Sequence, residues 1–179
     1  MELIIAEDYE DMSARAAAIV NRAVEEDPKM VLGLATGSTP LGLYERMAEA
    51  CETEGLDFSR VSSFNLDEYV GLAPDHEQSY RYFMDENLFD NINIKPENTH
   101  VPDGLAEDLG AFCEQYERMI QEAGGVDLQV LGIGRDGHLG FNEPGSSLGS
   151  PTQVVALAPE TIERSEEHTS ELQSPLCIS

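Results

Sequence analysis

The chain has 179 residues, which is enough for one domain with a sizeable hydrophobic core. Its net charge is −25, from 35 acidic and 10 basic residues, and a field of that sign repels nucleic acid and anionic membranes, so neither is an expected partner. No apolar run approaches the length of a membrane span, and the N-terminus lacks the basic region and cleavage site of a secretory signal. We therefore expect a cytoplasmic protein.

The acidic excess also bears on the solvent in which the chain works. Only two of its basic residues are lysines, Lys29 and Lys95. The field would repel an anionic substrate in dilute buffer, whereas at molar salt the screening length falls to roughly 3 Å and the repulsion disappears. These observations favour a halophilic protein in a salt-rich cytoplasm. The alternative is an ordinary acidic protein of a mesophile.

Apolar patterning divides the first half of the chain into strands and helices. Residues 3–5 form a short apolar run that predicts a first strand, and the alanine-rich stretch 8–26 has the spacing of an amphipathic helix. The continuous apolar run 30–35 predicts a buried strand. Pro40 at a first helical position, with Thr39 as its cap, predicts a helix to about residue 54. Residues 61–66 predict a third strand.

The second half continues the alternation. Residues 76–88 are predicted to be helical, 91–102 to be a proline-bounded connection, and 105–122 to be a helix. The apolar runs 128–133 and 152–158 predict two more strands, and a further helix would start at Pro159. Strands that alternate with helix-length connections predict an α/β fold with a doubly wound, mostly parallel sheet, whose ligands bind at the carboxyl ends of the strands.

The first stretch whose residues suggest a ligand-binding site is a turn between a strand and a helix, Thr36-Gly37-Ser38-Thr39. Free backbone N–H groups, hydroxyls and the positive end of the helix dipole converge there, which is typical of an anion site. The turn lacks the GxxxxGK[ST] pattern and the lysine of a P-loop. The alternative is a well-capped helix that binds no ligand.

Two adjacent acids follow the strand predicted at 61–66. Side chains alternate along an extended chain, so only one of Asp67 and Glu68 need face a cleft. We expect Asp67 to be the functional acid and Glu68 to be structural. The alternative is a solvated acidic turn.

The stretch richest in candidate residues is 126–145, where a short apolar run stops at Gly134. The next ten residues contain, separated by glycines, Asp136, His138, Asn142 and Glu143. Glycines let the backbone approach a ligand, and histidine titrates near neutrality, so the cluster predicts a catalytic loop. The alternative is a turn with incidental polar residues.

The alternation stops after Glu163. Residues 164–179 show no periodicity, and the stretch 164–174 looks like the translation of a common sequencing adaptor. We therefore expect one partial domain over residues 1–163 and a non-native, disordered tail over residues 164–179. The alternative is a genuine disordered acidic tail.

Taken together, the three stretches resemble the glucosamine-6-phosphate deaminase family, whose members are also called glucosamine-6-phosphate isomerases. The residues that carry the resemblance are LGLATGSTPLGLY, FNLDEYVGL and GIGRDGHLGFNEPGSSL. The similarity covers essentially residues 1–163, and the three loops agree in type, order and spacing. It implies a Rossmann-like sugar-phosphate isomerase/deaminase fold, incomplete at the C-terminus, with further basic phosphate ligands beyond residue 163.

The resemblance implies the conversion of D-glucosamine 6-phosphate and water to D-fructose 6-phosphate and ammonia, in amino-sugar catabolism, with no cofactor and no metal. Asp67 matches the base that moves a proton from C2 to C1. His138 matches the ring-opening group, with Asp136 and Glu143 beside it. The implied partner is a small-molecule substrate, and a homo-oligomer is an open alternative to a monomer. The family's phosphate-binding loop matches Thr36, Gly37, Ser38 and Thr39.

Three other interpretations stay open. The related 6-phosphogluconolactonases share the Gly-Ser-Thr-Pro and Asp-Gly-His loops, although they usually have arginine where this chain has Tyr69 and an SLFP-like sequence near residues 141–144. A non-catalytic sugar-phosphate sensor would need the phosphate loop but not the acid–base set. A metal site built from Asp136, His138 and Glu143 has a spacing that is not diagnostic and only one histidine.

Overall fold

A computed structural model describes residues 2–134, 137–142, 145–147, 149–156 and, for the backbone alone, 176–178. The α-helices of the described part are α1 (Tyr9–Glu26), α2 (Leu41–Glu49), α3 (Tyr80–Asn87) and α4 (Leu109–Glu122). A π-helical turn, Ala50–Glu54, continues α2 to the predicted end. Its strands are β1 (Val31–Leu34), β2 (Ser62–Asn65), β3 (Glu68–Tyr69), β4 (Thr99–His100), β5 (Leu128–Gln129), β6 (Val154–Ala156) and β7 (Leu176–Ile178). None of the described helices is both long and apolar enough to cross a membrane.

The main sheet has four parallel strands in the order β4-β2-β1-β5. From β1 the chain adds β2 and then β4 on one side, and it returns to add β5 on the other side. The predicted doubly wound parallel sheet is therefore confirmed, and its topological switch point lies between β1 and β5. Open α/β sheets bind ligands in the crevice at such a switch point, outside the carboxyl ends of the strands.

Helices cover both faces of this sheet because side chains alternate along each strand. Leu32 and Leu34 of β1 lie in a core built with α1, α2 and α3, while Val31 packs on the other face with Phe64 of β2 and Tyr116 of α4. Burial on both faces explains why β1 reads as a continuous apolar run. Each fully buried large apolar side chain of this kind stabilises the fold by about 1.5–3 kcal/mol.

The smaller sheet is antiparallel, with the order β3-β7-β6. The strand predicted at 152–158 is observed as Val154–Ala156, but it belongs to this sheet and not to the parallel one. Three residues of the expected disordered tail, Leu176–Ile178, form the central strand. The remainder of that tail and the helix predicted from Pro159 lie outside the described residues.

Three other predictions of local structure need correction. Residues 3–5 form no strand: they are exposed, with Leu3 and Ile5 at 79% and 82%, and an unpaired apolar run of three residues has no neighbour to hold it extended. Within the predicted connection 91–102, Thr99 and His100 form β4, because β2 is available to pair with them. Of the strand predicted at 128–133, only Leu128–Gln129 is a strand, and it pairs with β1.

The start of α2 also differs from prediction. The N-cap is Pro40 and not Thr39. Pro40 itself has helical dihedral angles, and its side chain accepts no hydrogen bond from the first turn. By contrast, Asp8, Ser79 and Asp108 accept hydrogen bonds from the first turns of α1, α3 and α4. The N-cap residue of α2 thus accepts no side-chain hydrogen bond from the first turn, on the side of the sheet where a ligand would sit.

Candidate active site

A cleft of about 740 Å³ opens at the switch point of the main sheet. Its walls include residues 35–38 after β1 and the first turn of α3. They also include residues after β2 and β5, namely Leu66, Asp67, Tyr69, His138, Gly140 and Phe141. Parallel strands present their carboxyl ends at one edge, which is why segments distant in sequence meet here. The cleft brings together the predicted site residues Thr36, Gly37, Ser38, Asp67 and His138.

Three predicted site residues are not part of this set. Thr39 is exposed and is not among the residues that line the cleft. Asp136 and Glu143 lie outside the described residues, so their predicted roles stay predictions. The predicted phosphate loop therefore reaches the cleft through its first three residues.

The turn after β1 is held in place by α1. The Tyr9 hydroxyl donates to the Ser38 carbonyl at 3.1 Å and accepts the Gly42 N–H at 2.9 Å, so it ties the turn to the first turn of α2. Gly37 has a φ of +101°, a left-handed conformation that favours glycine. Tyr9 could not be recognised from the sequence as a support for this turn, because its partners lie about thirty residues away and only tertiary packing brings them together.

Asp67 is the titratable group that the fold places most clearly in the cleft. The residue is buried, with 6% of its surface exposed. Burial, and secondarily the charge of the adjacent Glu68, raises the pKa of Asp67 from 3.8 to about 7. A carboxyl group with such a pKa is half deprotonated near neutral pH and can both take and return a proton.

Glu68 has a different role, although it is equally buried at 2% exposure. Its carboxylate accepts backbone N–H groups from Tyr69 at 2.8 Å, Tyr80 at 2.9 Å and Arg81 at 3.0 Å. The last two belong to the first turn of α3, whose dipole favours a negative charge there. Burial raises the pKa of Glu68, while these hydrogen bonds act in the opposite direction. Glu68 is therefore a structural acid that fixes α3 against the cleft, as expected.

Three aromatic rings form the wall beside Asp67. Phe141 stacks on Tyr80 with centroids 5.7 Å apart at 13°, and Tyr69 lies 4.9 Å from Tyr80 and 5.3 Å from Phe141. The Tyr80 hydroxyl donates to that of Tyr69 at 3.3 Å and faces the Thr36 hydroxyl. Burial, followed by the charge of Asp67, raises the pKa of Tyr80 well above its ordinary value, so the phenol stays protonated.

Tyr80 lies within the helix predicted at 76–88 and was not among the predicted site residues. A usable signal was present: Tyr80 follows Ser79, an N-cap type of residue, at the start of a helix that comes soon after a strand end. First-turn residues of such helices lie at the ligand-binding edge of the sheet. Tyr80 connects the turn after β1 with the acids after β2 and with the loop after β5.

His138 lies in a compact glycine-rich loop. Two backbone hydrogen bonds between Leu139 and Asn142, of 3.0 and 3.3 Å, close a tight turn just after it, and Gly140 in this turn has a φ of +57°. The side chain is partly buried and faces the cleft. Within the described residues, no three His, Cys, Asp or Glu side chains come together as a metal site. The alternative metal site predicted from Asp136, His138 and Glu143 includes two residues outside that part.

Comparisons with known proteins agree with this geometry. A family model described as glucosamine-6-phosphate isomerases/6-phosphogluconolactonase matches residues 6–162. A glucosamine-6-phosphate deaminase of Thermoanaerobacter sp. (strain X514) is 56% identical over 162 residues, which are 90% of this chain and 64% of that protein. The corresponding protein of Halothermothrix orenii is 51% identical over 163 residues, 91% of this chain and 68% of that protein.

Solved structures lead to the same family. The structure of a monomeric glucosamine-6-phosphate deaminase superposes with a TM-score of 0.96 at 39% identity, covering 100% of this chain and 75% of that one. A 6-phosphogluconolactonase from Thermotoga maritima gives 0.74 at 26% identity, covering 98% and 75%. The chain spans 64% of the length of its Thermoanaerobacter relative. From the cleft, the fold and these matches together, the chain belongs to the family of glucosamine-6-phosphate isomerases and 6-phosphogluconolactonases.

Proposed function

We propose that this chain carries the site of a glucosamine-6-phosphate deaminase, which converts D-glucosamine 6-phosphate and water to D-fructose 6-phosphate and ammonia. The observation that carries the proposal is the placement of Asp67, a carboxyl with a pKa of about 7, in one cleft with the turn at 36–38 and with His138. The relatives at 51% to 56% identity that bear this name support the deaminase over other members of the family.

The turn at 36–38 would hold the phosphate group. Backbone N–H groups at the start of α2, the hydroxyls of Thr36 and Ser38 and the helix dipole provide donors and positive potential for an anion. Lysine and arginine are not among the described residues that line the cleft. Charge-assisted hydrogen bonds from neutral donors contribute about 1.5–3 kcal/mol each, and several would anchor the far end of the sugar.

His138 would open the sugar ring. Opening moves a proton from the anomeric hydroxyl to the ring oxygen, and an imidazole can accept and return it near neutral pH. Asp136 and Glu143 are proposed as carboxylates that orient this imidazole. Their part in the proposal comes from the sequence motif.

Asp67 would then isomerise the open chain. Its carboxylate takes the proton from C2 and returns it to C1, while the amine nitrogen gives up a proton and the C1 oxygen gains one. The aldehyde carbon thereby becomes the hydroxymethyl carbon of a ketose, and an imine is left at C2. Water adds to C2 and ammonia leaves, which gives fructose 6-phosphate and balances the reaction. The partly enclosed setting raises the pKa of the carboxyl and makes it a stronger base toward a carbon acid.

The test is to incubate the chain with glucosamine 6-phosphate and, separately, with 6-phosphogluconolactone, measuring ammonia, fructose 6-phosphate and lactone opening. We expect equimolar ammonia and fructose 6-phosphate, and their loss in Asp67→Asn. Lactone opening without ammonia release would assign the chain to the lactonase branch of the family. Binding of the amino sugar without turnover would make it a sensor.

We infer the wider setting from the same observations. The enzyme would act in the cytoplasm, in amino-sugar catabolism, on a small-molecule substrate and without a nucleic-acid or membrane partner, because the net charge of −25 repels both. The same charge supports a salt-rich solvent, since salt would screen the repulsion between the chain and an anionic substrate.

A further inference from the structure

We propose that Gly134 is a positioning residue for His138: the missing side chain at position 134 leaves the space in which the imidazole lies. The catalytic consequence rests on the proposed function of His138, whereas the spatial claim rests on the structure alone. Separate measurements test the catalytic consequence and the spatial claim.

The space over Gly134 is filled by the histidine ring. A Cβ atom built on Gly134 would lie 2.6 Å from Nε2 of His138, and it would lie closer still to Cε1 and Nδ1. Real Cβ atoms essentially never approach another heavy atom to within 3.0 Å. Three atoms of the imidazole ring lie within 2.6 Å of this Cβ position. The ring therefore covers the Cα atom of Gly134 and does not approach it with one edge only.

The backbone at position 134 would itself accept a side chain. Gly134 is not one of the glycines with positive φ, so its conformation does not require glycine. Its N–H donates to the His138 carbonyl at 2.9 Å, and its carbonyl accepts the Gly137 N–H at 3.0 Å. The loop is thus closed on itself by its own hydrogen bonds. An alanine at this position would therefore displace the imidazole while the backbone stays folded.

Gly132 offers a matched control two residues earlier in the same segment. Its φ is also outside the positive range, and a Cβ atom built there meets nothing within 4 Å. Gly132→Ala therefore adds the same methyl group to the same stretch of chain without touching the ring. Gly132 lines the cleft, so this variant is the control for the imidazole signals and not for kcat.

The experiment compares Gly134→Ala and Gly132→Ala with the parent chain. The first measurement is the position of the His138 imidazole C–H signals in a ¹H–¹³C NMR spectrum, assigned with His138→Gln. We expect these signals to move in Gly134→Ala and to stay in place in Gly132→Ala. The second measurement is ammonia release. We expect kcat to fall about tenfold to a hundredfold in Gly134→Ala, since small misplacements of a reacting group have effects of that size.

The KM for substrate should change by less than about twofold in Gly134→Ala, because the phosphate turn is untouched. Unmoved imidazole signals, or equal movement in Gly132→Ala, would overturn the spatial claim. Moved signals with the parent kcat would overturn the positioning role. If the parent releases no ammonia, the proposed function fails. Imidazole signals that move in Gly134→Ala and not in Gly132→Ala would still support the claim that Gly134 leaves the space in which the imidazole lies.

Discussion

At the residue scale, Asp67 shows most directly how burial changes the acid–base chemistry of a side chain. A general base must be deprotonated to act, and the pKa of Asp67 is about 7. We therefore expect kcat/KM for glucosamine 6-phosphate to rise as pH increases through about 7 and then to level off. A rate profile measured across this range tests the assignment. A profile that falls through the same range would contradict Asp67 as the base.

The same buried carboxyl should reduce the stability of the fold. The folded state holds a proton on Asp67 up to a pH of about 7, whereas the unfolded state releases it near 3.8, so the free energy of unfolding falls as pH rises through this window. We expect Asp67→Asn to be more stable than the parent at about pH 8, by up to about 4 kcal/mol. Urea unfolding measures the difference.

Asp75→Asn is the control for this stability effect, because Asp75 is an exposed carboxyl outside the cleft. It should unfold like the parent at every pH in the range. Equal stability of parent and Asp67→Asn at high pH would show that Asp67 is solvated and not buried.

Tyr80 and Tyr82 allow a matched comparison on one helix. The Tyr80 hydroxyl faces Thr36 and donates to Tyr69, whereas Tyr82 does not line the cleft. Phenylalanine keeps the stacked ring, so Tyr80→Phe should lower kcat by about threefold to tenfold through the loss of one neutral hydrogen bond. Tyr82→Phe should leave kcat unchanged. Similar kinetics in both variants would remove Tyr80 from the site.

At the element scale, the Glu68 carboxylate connects β3 to the start of α3. It accepts three backbone N–H groups that are buried or partly buried, and the amide of Gln would present an N–H group to one of them. We expect Glu68→Gln to lower the free energy of unfolding by about 1–3 kcal/mol, the typical effect of leaving a buried group unsatisfied. Glu86→Gln, an exposed change in the same helix, is the control. A parental unfolding curve for Glu68→Gln would contradict the structural role.

Sequence periodicity predicted the long helices and the four-residue strands β1 and β2, and it failed on the two-residue strands. The helices predicted at 8–26 and 105–122 appear as Tyr9–Glu26 and Leu109–Glu122, because an amphipathic stripe over several turns is a strong local signal. Thr99–His100 and Leu128–Gln129 are two-residue ladders whose existence depends on β2 and β1 beside them. Two residues are too few to show a periodicity, so whether they form a strand depends on a partner that is distant in sequence.

At the scale of the whole molecule, the meeting of three loops could be predicted from the topology of a parallel sheet. The motifs at 36–39, 67–68 and 136–143 each follow a strand, and a doubly wound sheet brings such loops to one edge. The supporting residues could not be predicted in this way. Tyr9 and Tyr80 act through contacts between segments distant in sequence, whereas Gly134 is proposed to act within its own loop. All three residue types are common in helices and turns without such roles.

The net charge of −25 should make stability depend on salt. Molar KCl screens the self-repulsion of the folded chain, so the melting temperature should rise steeply between dilute buffer and molar KCl. Thermal unfolding at several KCl concentrations measures this dependence. A melting temperature independent of KCl would contradict the salt-rich setting.

A charge-reversed variant controls for unspecific effects of salt. Glu25 and Glu26 are exposed at the end of α1, whose last turn contains no basic residue. Changing both to lysine reduces the net negative charge and places positive charge where the helix dipole favours it. The variant should melt at a higher temperature than the parent in dilute buffer and should gain less from KCl.

The central claim is that one cleft holds the phosphate and the reacting carbons of the same amino sugar. A crystal structure of Asp67→Asn bound to glucosamine 6-phosphate tests this most directly, since the variant should bind the sugar without consuming it. We expect phosphate oxygens about 3 Å from the amides of Gly37 and Ser38, with C2 beside the residue 67 side chain. A sugar bound away from either group would contradict the account.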